Sequence, residues 1–346
     1  MMRRISPFWF IAAAFLFAGC HASQTTLKGH GPAASRIASL SWLMTILFLV
    51  VTVITWAILA WGFYRRRGTL GEHAPIAAGG GEIWIAIGGM AVPFVVLTVL
   101  FVLGLKLLGE FPIHGRPGPI TVSTEERMKP EIRIVGHQWW WQIEYLNSDP
   151  AKEFTTANEL HLPAGRPVYI EVVTADVMHS FWIPALHGKV DLIPGLTNYI
   201  LIQASQTGNY VGQCAEFCGV QHAHMRLLAV VQKPEEYSEW AQDQRQPAAE
   251  PKTPEEVAGK QVFFSGPCSA CHQIRGTAAH GRAGPDLTHI GSRQDIGADS
   301  FPNNFAYLEA WVTNAQSLKP GVLMPNVTQF TGVQLQELTD YLRQLK

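Results

Sequence analysis

The stretch Cys214–Met225, CAEFCGVQHAHM, holds two thiols, a carboxylate, two imidazoles and a thioether. Cys218 follows Cys214 by four residues, His222 follows Cys218 by four, and Met225 comes three later, so sulfur and nitrogen donors share one loop. Soft thiolate and thioether ligands favour copper. A mononuclear blue-copper centre uses one cysteine. A second thiolate allows both sulfurs to bridge two coppers, spreading one electron over a rigid pair and lowering the reorganisation that each transfer costs. Such a site needs a further imidazole from elsewhere, and His179 in VMHSFWIP is the candidate. A tetrahedral zinc shell of Cys214, Cys218, His222 and His179 is the competing reading, and a plain disulfide is another. Neither of those uses Met225. His224 carries no assigned role and reads as exposed or structural.

The sequence around this loop has strand character from Glu131 to about Lys233. EIRIVGHQWWWQIEY, RPVYIEVVT, NYILIQAS and LLAVVQK are rich in β-branched and aromatic residues, with turn signals such as LPAGRP and IPGLTN between them. These features predict a β-sandwich of the cupredoxin-like kind, which presents soft ligands on a loop between its last strands. PEEYSEWAQDQRQ is a short helix leaving it. QPAAEPKTPEE, from Gln246 to Glu256, is a semi-rigid linker that the sequence allows either to dock or to swing. Beyond it, EEVAGKQVFF, NNFAYLEAWVTNA and GVQLQELTDYLRQLK have helical apolar spacing, with Thr331 placed to cap the last helix.

That C-terminal module contains CSACH, Cys268 to His272, the C-x-x-C-H pattern of covalent c-type haem attachment. Cys268 and Cys271 would form thioethers to the porphyrin, with His272 beneath the iron as axial ligand. Zinc and a redox disulfide compete for a bare C-x-x-C, but the following histidine favours haem. Met324, in the proline-bounded loop KPGVLMPN, is the candidate second axial ligand, with His280 and His289 as rivals. This loop, together with GPDLTHIGSR upstream, resembles class I cytochrome c from roughly Glu255 to Lys346.

The whole chain has 346 residues, 47% of them hydrophobic and 15% charged, so part of it belongs in lipid. A net charge of -1 gives no reason to expect a nucleic-acid partner. MMRRISPFWFIAAAFLFAGC has a basic start, an apolar stretch and small residues before a cysteine, which resembles a bacterial lipoprotein signal with Cys20 as the lipidated residue, although Phe17 is an unusual choice within it. An ordinary signal or anchor with an incidental cysteine is the alternative. Ile37–Tyr64 and Ile83–Leu105 are free of charge, and each is long enough to span a bilayer. Arg65, Arg66 and Arg67 lie between them, so the connecting loop is expected on the cytoplasmic side and everything after Leu108 on the outer, periplasmic face of the inner membrane.

The region from about Ser39 to Lys233 resembles subunit II of haem-copper cytochrome c oxidases, through its two spans, GHQWWWQIEY, DVMHSFWIPALHGKVDLIPGLTN and NYVGQCAEFCGVQHAHMRLLAVV. With the haem module behind it, the chain resembles subunit II of a caa-type oxidase. The resemblance implies a binuclear copper centre held by His179, Cys214, Cys218, His222, Met225 and the Glu216 carbonyl. It implies that the Glu216 side chain helps to hold magnesium at the interface with subunit I, and that electrons enter through Trp139, here followed by Trp140 where the family more usually has tyrosine. Glu82 would mark a proton-channel entrance, although GEIWIAIGGMAVPF departs from the family's spacing between this Glu, the Trp and the following Pro. The spans contain no histidine, so oxygen must be reduced in a partner, subunit I, while cytochrome c or another donor supplies the electrons. A membrane-anchored copper and haem lipoprotein for copper delivery or sensing, outside any oxidase, is the alternative function. The expected organisation is a multi-domain chain: a signal at 1–19, a transmembrane hairpin at 37–108, an all-β copper domain at 128–233, a linker at 243–254 and an all-α cytochrome c domain at 255–346.

Overall fold

The computed structural model describes residues 24–65, 81–109 and 129–346. The expected signal, Cys20 and the loop residues Arg66 and Arg67 lie outside these ranges. Among the described residues two helices, α1 (Pro32–Arg65) and α2 (Glu82–Leu108), are long and apolar enough to cross a membrane. α1 begins five residues before the uncharged stretch that predicts it. At 1.5 Å per residue its 34 residues reach ~51 Å, well beyond the ~30 Å apolar layer. The extra residues bury Ala33 and Ala34, and this end of α1 lies against the copper domain. Just before the helix, His30 N–H donates to the Ala185 carbonyl at 2.7 Å, and the His30 carbonyl accepts from Ser205 N–H at 2.7 Å. In α2 the segment IGGMA, Ile87–Ala91, is a π turn. Such a turn takes one residue more than an α turn, and it falls in the stretch whose spacing between Trp84 and Pro93 is unusual.

The copper domain is a sandwich of ten strands: β1 (Ile132–His137), β2 (Trp140–Tyr145), β3 (Phe154–Ala157), β4 (Glu159–Pro163), β5 (Pro167–Thr174), β6 (His179–Trp182), β7 (Val190–Leu192), β8 (Asn198–Gln203), β9 (Gly208–Cys214) and β10 (Arg226–Gln232). One sheet runs β3-β2-β1-β5-β8 and the other β4-β10-β9-β6-β7. Strict alternation in β1 and β2 turns Ile132, Ile134, Trp141 and Ile143 into the core, where they meet Phe181 and Leu227 from the second sheet. Burying each such side chain stabilises the fold by about 1.5–3 kcal/mol. The three consecutive tryptophans part company here. Trp141 is fully buried and packs edge-on against Phe181, and Trp140 stacks on His137 at 4.3 Å. Trp139 lies in the turn between β1 and β2, outside the alternation, and is free to face the copper loop.

After the sandwich come α3 (Pro234–Gln244) and then the haem domain: α4 (Pro254–Ser265), α5 (Cys268–Cys271), α6 (Phe305–Leu318) and α7 (Gly332–Gln344). Thr253 with Glu256, and Thr331 with Gln334, form capping boxes that start α4 and α7. α4 and α7 cross closely enough that a side chain at Gly259 would collide with the Glu337 carbonyl. The linker is strapped down rather than free. Ala248 N–H donates to the Arg275 carbonyl at 2.9 Å, and Gln344 Nε2 donates to the Ala249 carbonyl at 3.2 Å. The haem domain also touches the sandwich, with Gln294 N–H on Glu159 Oε2 and Asn209 Nδ2 on Gln294 Oε1, both at 2.8 Å. Gly259→Val should force α4 and α7 apart and destabilise the haem domain by about 1–3 kcal/mol. Denaturant unfolding followed by haem absorbance measures this, and an unchanged midpoint would refute the tight crossing.

Candidate copper and haem sites

The copper loop is closed by the sheet itself. Cys214 is the last residue of β9, Met225 directly precedes β10, and Cys214 N–H donates to the Met225 carbonyl at 2.9 Å. The same sheet brings in the distant histidine: β6 pairs with β9 through Phe181 and Cys214, placing His179 beside the loop. Cys214 Sγ and Cys218 Sγ stand 3.7 Å apart with no bond between them, and both residues are buried. Around Cys214 lie His179 Nδ1 at 3.8 Å and the Glu216 carbonyl at 3.2 Å. Around Cys218 lie His222 Nδ1 at 3.7 Å and Met225 Sδ at 3.8 Å. Each sulfur thus has one imidazole nitrogen and one neutral donor beside it.

This division bears on the choice of metal. His179, Cys214 and Cys218 offer donor atoms within 4.8 Å of one another, and His222 falls outside that set. A single tetrahedral zinc draws four donors to bonds of about 2.0–2.3 Å, hence into one compact shell. The donors here form two groups, one around each sulfur, that meet at the sulfur pair. His224 stays outside the ring, exposed, with Nδ1 at 2.7 Å from Gln221 Oε1.

Electrostatics agree with a metal-ready pair. The hydrogen bond with Cys218 holds the Cys214 thiol well below an ordinary thiol, against the cost of burial. The same sharing pushes Cys218 up. Burial opposes charge on His179, yet its contacts with Cys214 and Asp176 raise it above an ordinary imidazole. Asp176 Oδ1 sits 2.8 Å from His179 Nε2, leaving Nδ1 toward the sulfurs. A carboxylate behind a ligating imidazole fixes ring and tautomer. Trp139 is buried, and its Nε1–H donates to the Cys218 carbonyl at 2.9 Å. Glu216 is half-buried, and Glu82 is exposed in the first turn of α2.

In the haem domain, His272 donates Nδ1–H to the Pro285 carbonyl at 2.8 Å, which leaves Nε2 to accept iron. Burial lowers its pKa and favours the neutral ring. Gly284 lies against this imidazole, where a Cβ would come within 2.6 Å of Cε1. Cys268 is half-buried and Cys271 exposed. Met324 sits in a loop tied to α6, its carbonyl accepting from Gln316 Nε2 at 3.0 Å. Of the rival ligands, His280 is exposed and its backbone bridges to Gln273, while His289 directs Nε2 to the Gln246 carbonyl at 3.1 Å. Arg293 is buried with Nε unpartnered among the described residues, a donor of the kind that a haem carboxylate takes. The donor set fits a c-type haem.

Asp176, Arg293 and Lys319 are functional candidates that sequence reasoning passed over. Asp176 had a local signal, an acidic residue three before His179. Arg293 stands in GPDLTHIGSR without a spacing rule to single it out, and nothing local marks Lys319.

Known proteins share both halves. Residues 146–232 match the family described as Cytochrome C oxidase subunit II, periplasmic domain, and residues 256–346 match Cytochrome c. Cytochrome c oxidase subunit 2 of Alkalihalophilus pseudofirmus is 32% identical over 342 residues, covering 97% of this chain and 96% of that one. The Bacillus subtilis protein of the same name is 25% identical over 347 residues, with 96% and 94% covered. Among solved structures, the periplasmic domain of subunit II of cytochrome oxidase from Bradyrhizobium japonicum is 30% identical, with a TM-score of 0.31, covering 33% of this chain and 91% of that one. Matched nearly end to end by a relative that is itself covered nearly end to end, the chain belongs to the cytochrome c oxidase subunit 2 family and carries a cytochrome c domain behind its copper domain.

Proposed function

We propose that this chain is the electron-input subunit of a proton-pumping terminal oxidase in a bacterial inner membrane, with its copper and haem domains on the outer face. In this reading cytochrome c or another donor delivers electrons to the haem domain. They cross to the copper domain and leave for subunit I, which reduces oxygen to water. The observation that carries the reading is the pair of unbonded sulfurs, each with its own imidazole and third donor.

The residues that would hold the metals are His179, Cys214, Cys218, His222, Met225 and the Glu216 carbonyl for a binuclear copper centre, and Cys268, Cys271, His272 and Met324 for haem c. The two centres supply one-electron carriers. The chain's own part is to keep their ligands still. Asp176 and the Pro285 carbonyl orient the two imidazoles from behind, and a thioether from Met324 on the haem iron would favour a high potential. Trp139, tied to the Cys218 carbonyl, is the aromatic through which electrons reach the copper loop. The Glu216 carboxylate would help to hold a magnesium ion shared with subunit I. Glu82, at the N-terminal end of a helix where negative charge is favoured, marks the proton-channel entrance.

Metal analysis of the full-length chain should give two coppers and one iron, with one unpaired electron spread over both coppers in electron paramagnetic resonance. Zinc, or a single copper, would reject the binuclear assignment. Met324→Ala should abolish the spectroscopic signature of methionine ligation, and a spectrum identical to wild type would return the axial position to another residue. In the assembled oxidase, Trp139→Phe should slow haem-to-copper transfer and Glu82→Gln should lower turnover and pumping. Wild-type values in either variant would remove the role given to that residue.

A further inference from the structure

Lys319 follows α6 and lies five residues before Met324. It is only 2% exposed. Its Nζ donates to three backbone carbonyls: His224 at 2.7 Å, Gly297 at 2.9 Å and Trp139 at 3.2 Å. Trp139 and His224 belong to the copper domain and Gly297 to the haem domain, so one ammonium joins both. Burial pulls this amine down to about 7, with the Cys218 sulfur acting against it. Three acceptors nonetheless match the three donors of the charged form.

The contacts continue on both sides. Gln221, inside the copper loop, donates Nε2 to the Pro320 carbonyl at 2.6 Å while its Oε1 meets His224 Nδ1. Gly321 lies against Val220, and its N–H donates to Gln316 Oε1 at 3.0 Å. Gln316 in turn holds the Met324 carbonyl. A short hydrogen-bonded bridge therefore runs from the Met324 loop through residues 319–321 to Trp139 and, through the Trp139 ring, to the Cys218 carbonyl.

We propose that Lys319 is a positioning residue for electron transfer, fixing the docking register of the haem domain on Trp139 and the copper loop. A buried ammonium is costly to desolvate and adds little net affinity. It penalises every docking pose in which its carbonyls are not met, and so selects one pose. The inference rests on the electron-relay reading above.

In the assembled wild-type oxidase, Lys319 should resist an amine-acetylating reagent under conditions that label the exposed Lys233. Equal labelling of both would show that the domain is not held, and would overturn the proposal. Lys319→Met keeps the bulk and removes the donors. It should slow haem-to-copper transfer about tenfold or more, as small misplacements of reacting partners do, while the haem spectrum and the copper spin signal stay as in wild type. Unchanged transfer with both centres intact would overturn the proposal. If the variant does not assemble, the wild-type labelling decides. A wild-type complex in which haem never reduces copper would instead remove the relay on which the inference rests.

Discussion

Two sulfur atoms held 3.7 Å apart without a bond are the constraint around which the copper domain is arranged. A disulfide would draw them to about 2.05 Å, and a solvated loop would let them separate. The β9–β10 ladder fixes the loop ends. Cys214 N–H reaches the Met225 carbonyl, and Arg226 is in register with Gln213. The pairing of β6 with β9 then sets His179 against the same sulfurs. The ligand geometry is therefore a property of the sheet, and the sheet depends on the core that Trp141, Phe181 and Leu227 fill.

Much of this was legible in the sequence, for identifiable reasons. Alternation of apolar residues in IRIVGH and WWQIEY reports a half-buried strand directly, and the capping residues Thr253 and Thr331 mark helix starts. Cys-x-x-Cys-His and the Cys214–Met225 cluster announce chemistry because their spacing is local. The early start of α1 was not legible. Ala33 and Ala34 there are buried, and this helix packs on β8, which follows more than 150 residues later, so no local pattern encodes that contact.

The same distinction divides the site. His179 was within reach because a two-sulfur loop calls for more nitrogen donors, and His179 sits in a suggestive neighbourhood. Asp176 acts only through His179, and its meaning needs the ring orientation that the folded strand supplies. The split between Trp139, Trp140 and Trp141 likewise depends on where the β1–β2 turn falls. Shifting that turn by one residue would exchange the side chain facing the core with the one facing out.

Docking is the level least visible in sequence, and Lys319 shows why. A lysine after a helix ordinarily reads as a solvated charge near the helix C-terminus, where it is favourable. Here it is enclosed because three carbonyls from the β1–β2 turn, the copper loop and the turn after β11 (Asp295–Ile296) converge on one point. Each carbonyl alone is unremarkable. Their convergence exists only once both domains are folded and seated, and the specificity of the seating comes from that requirement rather than from the size of the contact. The linker, strapped to the haem domain, keeps that domain beside the sandwich at a high local concentration, so tight intrinsic binding is not needed. What a linker bonded to one domain does not supply is orientation, and a buried amine hydrogen-bonded to carbonyls of both domains adds it.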